Sequence, residues 1–266
     1  MTHKAQTTRM SLRGIVIRGS SQIIFMDTPG IFKANRFLDR IMVKSAWKSS
    51  NDSNVTCLIY DATKTKINEN TSNILHSLNK FNNPVILVLN KVDLIKRKTL
   101  LPLIDKFNNI TNFYKVFMVS ALKGDGTEDL LNWLSEQMPE GPFLYDVDDI
   151  SDTPIRQMAS EILREKLILN LHQEIPYNLV VETESWETKD DASVKICQNI
   201  YVSRKSHKSI VIGSSGNNIK RIGTMARKEM QSIFDFKVHL FIRVKVRENC
   251  LIDTKLLQSI GIDTNA

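Results

Sequence analysis

Short apolar runs alternate with amphipathic stretches from Leu12 to about Met138. The runs Leu12–Ile17, Gln22–Met26, Val55–Tyr60, Val85–Leu89 and Val116–Val119 have the length and β-branched content of strands. From Phe37 onward, apolar residues also recur at helical spacing, over Phe37–Lys48, Asn68–Lys80, Leu100–Asn108 and Thr127–Gln137. Strand cores without charge, such as VILVL, suit a sheet covered on both faces, so the pattern predicts a mostly parallel α/β domain. In such sheets ligands collect beyond the carboxyl ends of the strands. DTPG, NKVD and SAL each begin where a predicted strand stops.

The pattern changes after residue 138. Residues 139–154, PEGPFLYDVDDISDTP, mix prolines, a glycine and four aspartates, which predicts an ordered linker over residues 139–155. Beyond it come a helix (Ile155–Leu171), two strands (Leu179–Ser185 and Val194–Ser203), a short helix into Gly213, a helix (Asn218–Phe234) and a strand (Val238–Val246). This α-β-β-α-α-β order sets residues 156–266 apart from residues 1–138 as a second, α+β domain. The 266 residues suffice for two such cores.

Charge sharpens the division. Of the formal net charge of +7, the block from Arg204 to Arg247 carries +9 and the rest of the chain −2. A local excess of that size points to a polyanionic partner, nucleic acid first and a membrane surface second, against a merely solvated basic face. Cys57, Cys197 and Cys250 lie far apart and suggest neither a disulfide framework nor a zinc site, which fits a reducing compartment. No run is apolar enough to span a bilayer. His172, His207 and His239 stand alone and are assigned no chemistry, and Trp47, Trp133 and Trp186 read as packing residues.

Three loops carry the chemistry of the first domain. In PVILVLNKVD, Asn90, Lys91, Val92 and Asp93 follow an apolar strand. An aspartate accepts two parallel hydrogen bonds from the N1 and N2 donors of guanine, which adenine lacks, and leaving it unpaired is costly. The Lys91 stem would lie over the base, and Asn90 would tie adjoining loops together. In DTPG, an acid at a strand end, Asp27, can hold Mg²⁺ through water, while the amide of Gly30 donates to a terminal phosphate, with Thr28, Pro29 and Ile31 around it. In MVSALKG, backbone amides near Ser120 and Ala121 could reach the guanine O6. Each motif alone is weak, and DTPG alone is more often a plain turn. Their order and spacing, 63 residues from Asp27 to Asn90 and 30 more to Ser120, carry the case. Thr8, beside Arg9 and ahead of the first strand, then reads as a mobile-loop threonine completing the Mg²⁺ shell.

The second domain holds SHKSIVIGSSGNNIKRIG. Gly213-Ser214-Ser215-Gly216 turns the chain between two helices, and glycines at this spacing allow close backbone approach. Amides opening the next helix at Asn217 face a phosphate, with Lys220 and Arg221 one turn further. This is the logic of the KH module, whose G-x-x-G loop clamps about four nucleotides of single-stranded RNA.

With these motifs placed, the chain resembles the bacterial Era GTPases over essentially its whole length. The resemblance rests on the TTR at 7–9, FMDTPGI at 25–31, NKVDL at 90–94, the linker at 139–152, RQMASEILREKL at 156–167, IPY at 175–177, VIGSSGNNIKRIG at 211–223 and ARKEMQ at 226–231. It implies a Ras-like P-loop GTPase domain joined to a type II KH domain, with GTP/GDP and Mg²⁺ as cofactors. It also implies binding to 16S rRNA near its 3′ end and assistance in assembly of the 30S ribosomal subunit. A cytoplasmic location, peripheral association with the inner membrane and a monomeric state complete the expectation. Thr8 and Asp27 would match the metal positions. Ile31 stands where many Ras relatives have glutamine, so the residue orienting the attacking water is not assigned.

One departure matters. These residues contain no G-x-x-x-x-G-K-[ST], the loop that cradles the β-phosphate and supplies a lysine. The family's first strand, phosphate loop and first helix are expected to be absent, which would leave neighbouring strands with unpaired edges. This chain is therefore expected to bind GTP weakly or not at all. The alternative is a non-enzymatic KH-type RNA-binding protein with a relict nucleotide fold.

Overall fold

The computed structural model describes residues 9, 12–32, 34, 36–146, 151, 153–172 and 175–264. In chain order they form β1 (Leu12–Arg18), β2 (Ser21–Asp27), α1 (Phe37–Asn51), β3 (Thr56–Asp61), α2 (Glu69–Leu78), β4 (Val85–Asn90), α3 (Leu100–Asn108), β5 (Lys115–Val119) and α4 (Thr127–Gln137). After the linker come α5 (Ile155–Asn170), β6 (Leu179–Thr188), β7 (Val194–Val202), α6 (Lys205–Ile212), α7 (Asn217–Phe234), β8 (Val238–Val246) and α8 (Thr254–Ser259). Every strand and helix anticipated from the hydrophobic pattern is present, with ends shifted by a few residues, and α8 is an addition.

β3, β4 and β5 form a parallel sheet with β4 in the middle, and β4 is buried from Val85 to Leu89, as its uncharged core requires. β1 and β2 pair antiparallel in a separate sheet, with Leu12 opposite Asp27. The two sheets share an apolar layer all the same: Ile23 and Phe25 of β2 pack in one cluster with Cys57, Ile86, Val88 and Phe117. Among the described residues no strand pairs with the remaining edge of β2 or of β3. α4 lies over this cluster through Trp133 and Leu134, and Arg18 at the end of β1 donates to Asn132 of that helix at 2.8 Å.

The second core is built on the sheet β6-β7-β8, antiparallel between β6 and β7 and parallel between β7 and β8. α5 and α7 cover one face through Ala159, Leu163, Leu167, Ile222, Ala226 and Met230. At Gly223 a Cβ would stand 2.9 Å from Ile242 Cδ1, so glycine lets α7 sit close to β8.

The two cores meet through a third cluster. Leu38, Ile41 and Met42 of α1 pack against Val180 of β6 and against Cys250, Leu256, Leu257, Ile260 and Ile262 around α8. The helix that follows DTPG is thus cemented to the far end of the chain. Arg9 joins the same seam. It is 3% exposed, and its guanidinium donates to the carbonyls of Leu179 at 2.6 Å and Tyr177 at 3.0 Å. Burial, with the nearby Arg164 cation, pulls its pKa down to about 9. Arg9→Ala would remove the guanidinium donor from the buried carbonyl of Leu179, at about 1–3 kcal/mol, and from the part-buried carbonyl of Tyr177, at less. The urea midpoint is expected to fall correspondingly, and Arg9→Lys, with no fork to reach both carbonyls, should recover half or less. An unchanged midpoint would mean that the seam does not depend on Arg9.

Candidate functional site

The carboxyl ends of β3, β4 and β5 bring Asp61, Asn90 and Ser120 to one rim of the parallel sheet. Asn90 Oδ1 accepts from the amide of Lys91 at 2.7 Å and from the amide of Ala121 at 3.1 Å, so one side chain stitches the loop after β4 to the loop after β5. Lys91 has φ 66°, a left-handed conformation rare for a residue with a side chain. That turn starts the short 3₁₀ segment Val92–Leu94, seats Val92 against the core of α2 and α3, and brings Asp93 round to Ser120.

Asp93 is held from both sides. Ser120 Oγ donates to its Oδ1 at 2.7 Å, and Lys123 Nζ lies 3.7 Å from Oδ2. The Ser120 hydroxyl, with Lys123 adding to it, holds this carboxyl below the usual range, so Asp93 is an ionised acceptor at neutral pH. The Lys91 ammonium is fixed in turn by Asp61, at 2.6 Å. Asp61 also accepts from the amide and hydroxyl of Thr63 at 3.0 and 2.6 Å. Burial opposes ionisation of Asp61, but the bonds from Lys91 and Thr63 prevail and hold its pKa at about 2. Asp61 was not singled out from the sequence; the signal was the acid closing β3 in YDAT, one strand before NKVD.

A folded pKa below the unfolded one contributes stability that is present above about pH 4 and disappears as pH falls through about 2. The Asp61 carboxyl resonance is therefore expected to titrate with a midpoint near 2. In Lys91→Met it should move toward the ordinary aspartate value. A midpoint near 4 in the unaltered chain would contradict the pairing.

The DTPG loop sits at the same end. Asn70, in the first turn of α2 after β3, donates to the carbonyl of Ile31 at 3.2 Å. Asp27 closes β2 and is exposed, Thr28 is half-buried, Pro29 is buried and Gly30 is open, with nothing within 4 Å of a Cβ built there. Among the described residues no group of three or more His, Cys, Asp or Glu could hold a metal. The DTPG loop carries the Asp27 carboxylate at the end of β2, and Mg²⁺ takes one or two carboxylates and fills its shell with water and phosphate. Thr8 lies outside the described residues.

In the second domain, Gly213 has φ 75° and ψ 176°, and a Cβ there would come within 2.7 Å of the Asn218 side chain. Ser215 and Gly216 are both left-handed, at φ 50° and 78°. The turn is braced by Asn218 Nδ2, which donates to the carbonyl of Ile210 at 3.1 Å. The Asn217 amide donates to the carbonyl of Ser214, and no side chain caps the start of α7 at Gly216, so the amides that follow in the first turn of this 18-residue helix face outward toward an acceptor. Ser214, Ser215, Asn217, Lys220 and Arg221 are exposed around them. Arg221 donates to Asn170 Oδ1 of α5 at 2.6 Å, which holds its guanidinium beside the turn.

Two family models match the chain, one described as "50S ribosome-binding GTPase" over residues 1–91 and one described as "KH domain" over residues 174–251. GTPase Era of Rhizobium meliloti (strain 1021) is 50% identical over 263 residues, spanning 99% of this chain and 84% of that protein. GTPase Era of Brucella suis biovar 1 (strain 1330) is 48% identical over the same shares. A crystal structure of Era in complex with MgGDPNP and nucleotides 1506–1542 of 16S ribosomal RNA superposes with a TM-score of 0.91 at 33% identity, covering 98% of this chain and 89% of that one. An Aquifex aeolicus Era variant bound to GDP·AlF4⁻ gives a TM-score of 0.90, also at 33% identity. The architecture is accordingly a Ras-like α/β domain followed by a KH domain.

Proposed function

The chain belongs to the Era family of GTPases, and from that premise we propose that it reads guanine nucleotides at the β4–β5 rim and grips the small-subunit rRNA at Gly213–Gly216. The observation that carries the first half is the ready-made corner in which Asn90 spans two loops while Ser120 presents an ionised Asp93. Lys91, tethered to Asp61, would lay its stem along the base, and the Ala121 amide stands beside the place of O6. Asp27, with Thr8, would hold Mg²⁺ through water, and Thr28, Pro29, Gly30 and Ile31 would follow the terminal phosphate. When bound, Mg²⁺ supplies charge neutralisation for GTP/GDP phosphates. Residues 1–138 would form the nucleotide domain, 139–155 the linker and 156–266 the RNA-binding domain.

In this reading the protein is a cytoplasmic monomer that binds 16S rRNA and assists 30S assembly, with peripheral attachment to the inner face of the membrane. No described helix is long and apolar enough to cross a bilayer. A second reading is an RNA-binding protein without GTPase activity, for which the Gly213–Gly216 turn and the exposed cations Lys220 and Arg221 would suffice. Competition between GTP and ATP for a fluorescent guanine nucleotide separates the two, run beside binding to a 16S 3′-end fragment. Preference for GTP together with RNA binding supports the first reading. RNA binding that ignores every nucleotide supports the second, and loss of both defeats the proposal.

A further inference from the structure

The basic block of the KH domain is not the sole concentration of positive charge. Residues 61–106 hold eight Lys/Arg against four Asp/Glu, and the fold gathers most of the bases on one face. The loop after β3 carries Lys64 and Lys66, and the loop after β4 carries Lys96, Arg97 and Lys98; all five are exposed. Ile67 of the first loop and Val92 and Ile95 of the second pack into one cluster with Leu100 and Leu103 of α3, which sets the loops side by side. Lys106 of α3 joins them, its ammonium donating to the carbonyl of Thr65 at 3.2 Å.

None of these six cations forms an ion pair among the described residues. The acids nearest in sequence are largely engaged: Asp61 holds Lys91, and Asp93 holds Ser120 and Lys123. Glu69 and Asp105 remain, so the patch keeps a clear positive excess. Two leucines bracket its central cations: Leu94 is 66% exposed and Leu101 70% exposed, while their neighbours Ile95 and Leu100 turn inward.

We propose that this face of the nucleotide domain docks on an anionic phospholipid surface. Clustered cations suit any polyanion, but an RNA backbone offers nothing to two solvent-facing leucines. A bilayer offers both a plane of phosphates and an apolar interior just beneath it. Four to eight clustered Lys/Arg is the number that binds acidic lipid headgroups, each cation adding about a fivefold factor. Such docking rests on the peripheral attachment proposed above and gives it a face, immediately beside the NKVD loop.

The test is co-sedimentation of the 266-residue chain with large vesicles of pure phosphatidylcholine, or of phosphatidylcholine with one-third phosphatidylglycerol, at low and high salt. Binding is expected only to the anionic vesicles and should weaken with salt. Lys96→Gln/Arg97→Gln/Lys98→Gln should lower partitioning about a hundredfold while leaving affinity for a 16S fragment within twofold. Leu94→Ser/Leu101→Ser, with its charge unchanged, should lower partitioning about tenfold, and circular dichroism would confirm the fold of both variants. Failure of the unaltered chain to bind anionic vesicles would overturn peripheral attachment itself. Vesicle binding that survives both sets of substitutions would overturn this face alone and move the contact elsewhere. Loss of RNA affinity in the triple variant without loss of vesicle binding would make the patch an RNA contact instead.

Discussion

Asp93→Ala is expected to abolish the preference for guanine over hypoxanthine and adenine while leaving the fold unchanged. A carboxylate receiving both N1–H and N2–H forms two charge-assisted hydrogen bonds, each contributing about 1.5–3 kcal/mol, so affinity for guanine should fall by about 10²–10⁴. Removing the side chain opens no apolar core, because the partners of Asp93 are the polar Ser120 hydroxyl and the Lys123 ammonium. Inosine triphosphate, which lacks N2–H, makes the comparison internal. The unaltered chain should bind GTP at least tenfold better than ITP, and Asp93→Ala should bind the two alike. Because the ratio is read between nucleotides carrying identical phosphates, weak absolute binding does not blur it. Ser120→Ala should give a milder loss, about tenfold, and let the Asp93 carboxyl drift back toward its ordinary range. A guanine preference that survived in Asp93→Ala would place base recognition somewhere else on the rim.

Much of this corner was legible because strand ends are written in sequence: an uncharged apolar run followed by NKVD tells where the chain leaves the sheet and what it carries there. The tether between Lys91 and Asp61 was not legible, since it joins the ends of two strands 30 residues apart through a parallel register that only the folded sheet defines. The same holds for Arg9, whose surroundings in sequence, TTR, say nothing about carbonyls 168 and 170 residues away. α8 could have been found. Asp253 accepts from the Leu256 amide as an N-cap, and Leu256, Leu257 and Ile260 follow before Gly261 ends the turn, but six residues are too few for periodicity to stand out. Its docking on α1 lay beyond any local pattern, because it joins elements at opposite ends of the chain.

Gly216→Asp is expected to remove single-stranded RNA binding, by about a hundredfold, from a protein that still folds. The two glycines of the turn differ in what they tolerate. Gly213 stands at φ 75°, ψ 176°, a region reserved for glycine, and a Cβ there would meet the Asn218 side chain at 2.7 Å. Substituting it would disturb the brace from Asn218 to Ile210 as well as the RNA contact, so a double replacement of both glycines would confuse shape with charge. Gly216 has φ 78°, ψ 10°, a left-handed conformation that Asp and Asn adopt at modest cost, and a Cβ there meets nothing within 4 Å. It also stands at the start of α7, where the helix dipole favours a negative charge. The carboxylate would compete for the first amides of α7 and repel a phosphate approaching them. Gly216→Asn, of nearly the same shape but without charge, should lose no more than about tenfold. The thermal midpoints of both variants should stay close to that of the unaltered chain. Equal RNA affinities of Gly216→Asp and the unaltered chain, measured at low salt where phosphate contacts weigh most, would show that the start of α7 is not where the RNA backbone sits.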